Sequence, residues 1–147
     1  MFSPLFWLSV DHVAILLEQG FSLGLAKALS ANADSFDHRI WIVDNSGSMQ
    51  IGDGHRVTTI GGNIVMQPVS RWEEIQDTVI YHSQMAAVLD SYTRFRLLNK
   101  PVKAVGMQEF AVSTPGNQYE IDNEIRQARL VMNRTKPNGV TPCTCFC

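Results

Sequence analysis

The sequence predicts an α/β domain, and three observations point there. Arg39-Ile-Trp-Ile-Val-Asp44 is a compact β-branched and aromatic run that ends in a polar, glycine-containing loop, the pattern of a buried strand. Two stretches with apolar residues at helical spacing follow it, one beginning at Ser70 and one at Ile121. Short strand candidates stand between those helices, and strands alternating with helices build an α/β sheet.

In chain order, the opening Met-Phe-Ser-Pro-Leu-Phe-Trp-Leu-Ser-Val is apolar but has no basic residue. Asp11 and His12 end it well short of a membrane span, so it is expected to be buried or disordered rather than a signal. Val13, Leu16, Leu17, Leu25, Ala28 and Leu29 recur near helical spacing, and Gly20-Phe21 interrupts them; two short helices around a turn are expected. Arg39 to Asp44 follows as a strand that should sit in the middle of a sheet. Between His55 and Val69, two β-forming runs flank Gly61-Gly62-Asn63, which predicts a small hairpin.

Ser70 and Glu73 have capping-box spacing, and Trp72, Ile75, Val79, Met85, Val88 and Leu89 supply the apolar stripe of the helix they open. Glu73 and the adjacent Glu74 are read as favourable charges at that helix start rather than as an acid/base pair. Phe95 to Asn99 and Gln108 to Ser113 are strand candidates separated by the Lys100-Pro101 break, and the strand after Val102 is free to run antiparallel. Ile121, Ile125, Ala128, Leu130, Val131 and Met132 mark the last helix, closed by Lys136-Pro-Asn-Gly139.

The chain has 147 residues, 45% hydrophobic and 18% charged, which suits one globular domain rather than a disordered or fibrous segment. A net charge of -2, from 12 basic and 14 acidic residues scattered along the chain, is no footprint for nucleic acid or an anionic membrane. Neither is expected as a partner. Cys143, Cys145 and Cys147 all lie in the last five residues, so they cannot staple distant segments together. They specify no compartment, although the cytoplasm is slightly favoured, and the oligomeric state is left open. His12, His38, His55 and His82 are isolated, with no pair at helical metal-ligand spacing.

The chemistry lies in Asp44-Asn-Ser-Gly-Ser-Met49. A carboxylate and two hydroxyls, on Asp44, Ser46 and Ser48, alternate directly after a hydrophobic strand, where open α/β sheets bind ligands. Gly47 permits the turn between the serines. Hard oxygen donors with one formal charge suit Mg2+ or Mn2+ with open positions. The same residues also suit an ordinary polar turn, whose side chains cap backbone amides.

Ile40-Trp-Ile-Val-Asp-Asn-Ser-Gly-Ser-Met49 resembles the first strand and Asp-x-Ser-x-Ser signature of von Willebrand factor A domains. Gly139-Val-Thr-Pro142 is similar to the family's next segment, where a threonine adds an oxygen to the same metal-ion-dependent adhesion site (MIDAS). The resemblance covers roughly residues 39 to 142 and makes Thr141 the fourth ligand candidate, beside Asp44, Ser46 and Ser48. It implies a Rossmann-like, doubly wound sheet. It also implies a binding module rather than an enzyme, in which a protein partner's carboxylate completes the shell of the ion.

The family's further aspartate, after the fourth strand in a Thr-Asp-Gly-like stretch, has no counterpart here. The expectation is therefore the N-terminal portion of such a domain, with an unpaired edge on the first strand. The expected organisation is a helical lead-in over 1–37, a partial A-like domain over 38–142 and an aberrant cysteine-rich tail over 143–147. Two rival readings are a non-functional fragment and a metal-dependent enzyme; the second has no visible general base near the loop. Separately, Leu16-Leu-Glu-Gln-Gly-Phe-Ser-Leu-Gly-Leu-Ala-Lys-Ala-Leu29 is similar to the first two helices of a ubiquitin-associated domain, which needs a third.

Overall fold

A computed structural model of the chain describes residues 12–141; the apolar opening and the cysteine-rich tail lie outside the described residues. The chain divides into two compact units, Met1–Phe36 and Asp37–Cys147, one residue before the expected boundary. In the first unit, helix α1 (His12–Glu18) and helix α2 (Leu23–Ser35) meet at Gly20, whose φ of +91° is costly for any residue with a Cβ. Phe21 N–H donates to the Leu16 carbonyl and Gly20 N–H to that of Leu17, which satisfies the last carbonyls of α1 in a Schellman arrangement. Ser22 then caps α2 by accepting from Leu25 N–H at 3.4 Å. The chain enters a strand at Arg39, so the third helix of a ubiquitin-associated fold does not follow α2.

The second unit runs β1 (Arg39–Val43), β2 (Gly54–Ile60), β3 (Asn63–Val69), α3 (Arg71–Val88), β4 (Thr93–Leu97), β5 (Glu109–Val112) and α4 (Ile121–Arg134), with short 3-10 turns at Gly47–Gln50 and Gln118–Glu120. Mixed α/β architecture is thus as predicted. One sheet has the order β1-β4-β5, with β1 parallel and β5 antiparallel to β4. The β2-β3 hairpin forms a sheet of its own around consecutive left-handed glycines, Gly61 and Gly62, as a tight primed turn requires.

Burial along β1, β4 and β5 alternates, and the register assigns the faces. Val43, Phe95, Leu97, Phe110 and Val112 pack with Trp72, Val79 and Ala86 of α3 and with Ala128, Val131 and Met132 of α4. Phe95 stacks on Phe110 with centroids 5.1 Å apart, as cross-strand neighbours. The opposite face carries Arg94, which pairs with Glu109, and Arg96 at 3.2 Å from the same carboxylate. Helices α3 and α4 therefore share one face of the three-stranded sheet.

Strand β1 departs from expectation. Among the described residues it pairs with β4 alone and so forms an edge rather than the middle of the sheet. Ile40 and Ile42, read as buried from their apolar run, are 59% and 61% exposed on the face opposite the helices. An apolar run cannot tell a strand covered on both faces from one covered on a single face. Among the described residues the outer edge of β1 carries no strand, and such an edge invites association.

The start of α3 is chemically specified. Ser70 Oγ accepts from Glu73 N–H at 3.2 Å while the Glu73 carboxylate accepts from Ser70 N–H at 2.8 Å, a complete capping box. These bonds to Ser70, backbone first, lower the Glu73 pKa. Glu74 accepts from His55 N–H at 3.0 Å and so ties the hairpin base to α3. Gly54 is required there, because a Cβ would lie 2.8 Å from the Ser70 carbonyl oxygen. Replacing Ser70 by Ala should cost about 1 kcal/mol in urea unfolding, with Glu73→Ala adding little on top, since both act on one motif.

His82 packs against Trp41 with centroids 4.6 Å apart, and burial lowers its pKa below the ordinary 6.5. The unfolded state then takes up the proton first, so the stability present above the unfolded pKa is lost as pH falls through the folded one. Lowering the pH from about 7.5 to about 5 should destabilise the parent more than His82→Gln, read as the shift in urea midpoint. Parallel midpoint shifts in the two proteins would show that His82 is not responsible.

Candidate metal site

The site starts from the carboxyl end of β1, where the chain leaves the sheet after Val43. Asp44 Oδ1 accepts from Ser46 N–H at 2.8 Å and turns the backbone sharply at that point. Ser46 is 1% exposed. Its Oγ lies 3.1 Å from Ser48 Oγ and accepts from Thr141 Oγ1 at 3.3 Å. Thr141 is 95 positions further along the chain, yet it joins the serines, so the tertiary fold brings the three predicted hydroxyls together, while the Asp44 carboxylate is held on the Ser46 backbone amide beside them. Asp44 is half-buried, whereas Ser48 and Thr141 are exposed, which leaves the cluster open to solvent on one side.

Several backbone bonds bring the arm at 136–141 to the loop. Gly47 N–H donates to the Gly139 carbonyl at 2.9 Å, and Asn138 N–H to the Asn45 carbonyl at 2.8 Å. Gln50 Nε2 donates to the Pro137 carbonyl at 2.9 Å. Gly47 has no left-handed backbone, so its reason differs from the one predicted. A Cβ on it would stand 3.3 Å from the Gly139 carbonyl oxygen, and glycine therefore serves close approach of the arm.

Two asparagines were not foreseen as part of this site. Asn45 is fully buried; its Nδ2 donates to the Asn99 carbonyl at 3.0 Å and its Oδ1 accepts from Asn99 N–H at 2.7 Å. Asn99 was expected as the end of a strand, but β4 runs from Thr93 to Leu97 and Asn99 turns to face the loop. Asn99 lies two residues past the end of β4, as Asn45 lies two past the end of β1, and the carboxyl ends of adjacent parallel strands lie side by side.

The donor set is one carboxylate and three hydroxyls, all hard oxygen. Among the described residues no group of three or more His, Cys, Asp or Glu side chains comes together, so charge at the site is sparse. Cis oxygens around an ion with bonds near 2.1 Å are separated by about 3.0 Å in an octahedral shell. The separations of 3.1 Å and 3.3 Å are those of hydrogen bonds between hydroxyls and are also close to that spacing, so the chemistry of the three hydroxyls suits a small divalent ion. The Asp44 bond to Ser46 N–H is equally the signature of a polar turn, and the two descriptions differ in whether charge at position 44 matters. Among the described residues, no helix is long and apolar enough to cross a membrane.

Comparison of the chain with protein-family models, with curated proteins and with solved structures finds no match in any of the three.

Proposed function

We propose that the second unit is a metal-ion-dependent binding module of the von Willebrand factor A type, with the Rossmann-like, doubly wound topology of that family in partial form. Mg2+, or Mn2+, is held by Asp44 as charged anchor, by Ser46 and Ser48 directly, and by Thr141 directly or through water. The observation that carries this reading is the approach of Thr141 to Ser46 across 95 positions of sequence, at the carboxyl end of β1. A polar turn alone needs no such distant hydroxyl.

One carboxylate leaves a bound divalent ion with net positive charge, and the exposed side of the cluster gives a partner access to it. A carboxylate from a protein partner is the ligand of matching charge and hardness. We read the site as one for binding rather than turnover, since among the described residues the loop's hydrogen bonds involve no imidazole. His38 stacks on Tyr92 and His82 packs at a tilt against Trp41, so two of the imidazoles are engaged with aromatic rings. Isothermal titration of the purified chain with MgCl2 tests the reading: saturable binding is expected, and a featureless isotherm with both Mg2+ and Mn2+ would overturn it.

A further inference from the structure

We propose that Asn99 is a positioning residue whose side-chain amide holds the Thr141 arm against the Asp44 loop, seated there by the buried amide of Asn45. The inference rests on the metal-dependent reading above for its functional meaning, while the positioning itself follows from the hydrogen-bond geometry.

The arm has little apolar attachment beyond Pro137. Val140 is 80% exposed, Gly139 and Thr141 are exposed, and Asn138 is half-buried. Polar contacts must therefore hold its end in place. Asn99 Nδ2 donates to the Asn138 carbonyl at 2.9 Å and to the Val140 carbonyl at 3.2 Å, the second being the peptide oxygen that immediately precedes Thr141. Both amide hydrogens of one side chain are thus committed to the arm.

Asn99 is itself fixed from the other direction. Its backbone N–H and C=O are both taken by the Asn45 side chain, which is fully buried and lies between two of the proposed ligands, Asp44 and Ser46. The Asn45 carbonyl, in turn, accepts from Asn138 N–H. Three segments remote in sequence are joined through two amides, each used as its chemistry allows. At position 45 a carboxylate would offer an acceptor to the Asn99 carbonyl where a donor is needed, and at position 99 an alanine would leave both arm carbonyls without their donor.

Thr141 can join an ion bound by the loop only while the arm is docked. Loss of the Asn99 amide should weaken Mg2+ binding through Thr141 and not through Asp44. The test is Mg2+ titration of the parent, Asn99→Ala, Thr141→Val and the double variant, with amide exchange followed by NMR in the same proteins. Asn99→Ala is expected to weaken Mg2+ about tenfold, and the double variant to be no weaker than the worse single one. A general structural defect would instead add to the effect of Thr141→Val.

Exchange at Gly47 and Asn138 N–H should accelerate in Asn99→Ala while Phe95 and Val131, in the core, stay protected. Asn99→Ser, smaller but still a donor, is a second variant if alanine prevents folding, and it should show the same pattern more weakly. Unchanged Mg2+ affinity in Asn99→Ala, or an additive loss in the double variant, would overturn the assignment. If the parent binds no Mg2+, the metal reading fails alone. Exchange at Gly47 and Asn138 then decides the positioning role: acceleration upholds it and parental rates refute it.

Discussion

Asp44→Ala is expected to eliminate Mg2+ binding while leaving helix content at the parental level. Asp44 is the one carboxylate among the four proposed ligands, so its removal would leave three neutral hydroxyls to hold a doubly charged ion. Its structural contribution is small by comparison. It follows β1, half-buried, and the bond it accepts from Ser46 N–H is a local one, worth about 1 kcal/mol. Asp44→Asn sharpens the test, because the amide oxygen keeps the turn but carries no charge. Isothermal titration with MgCl2 beside far-ultraviolet circular dichroism should show both variants folded and neither binding. Parental affinity in Asp44→Asn would mean that position 44 serves the turn alone, and the metal-site reading would then be wrong.

The largest effect on stability is expected at Trp72. It is 5% exposed in the core between α3 and α4, and its indole N–H donates to the Thr135 carbonyl at 3.1 Å. Trp72→Ala removes the apolar volume and leaves a buried carbonyl without its donor. A loss of about 3-5 kcal/mol is expected, a large part of the roughly 5-15 kcal/mol that holds a typical domain together. Because Thr135 begins the segment that carries Thr141, the variant should also loosen the arm. Urea unfolding checks the first expectation, and acrylamide quenching of the parent checks the burial. A cost below about 0.5 kcal/mol would place Trp72 at the surface, against its packing.

Several elements were legible because their causes are local. The capping box of Ser70 and Glu73, the Gly61-Gly62 turn of the hairpin and the Gly20 turn between α1 and α2 each depend on residues a few positions apart. Trp72 was placed in the core by helical spacing alone, and the packing agrees. Strand ends were less legible. Thr93 begins β4 because Arg39 and Val112 flank it in the sheet, a cause no window around residue 93 contains.

The sequence by itself determined the local chemistry of this protein: a carboxylate and two hydroxyls on a turn after a β-rich run, and an α/β order of elements around them. Tertiary structure decided the rest. It gave β1 an edge position and exposed Ile40 and Ile42, because the coverage of a strand depends on which neighbours arrive. It also set Gly47 against Gly139 and made Asn45 and Asn99 a bridge between distant segments. A side-chain amide satisfies whatever backbone the fold brings within about 3 Å of it, and that partner is fixed in space rather than by spacing along the chain.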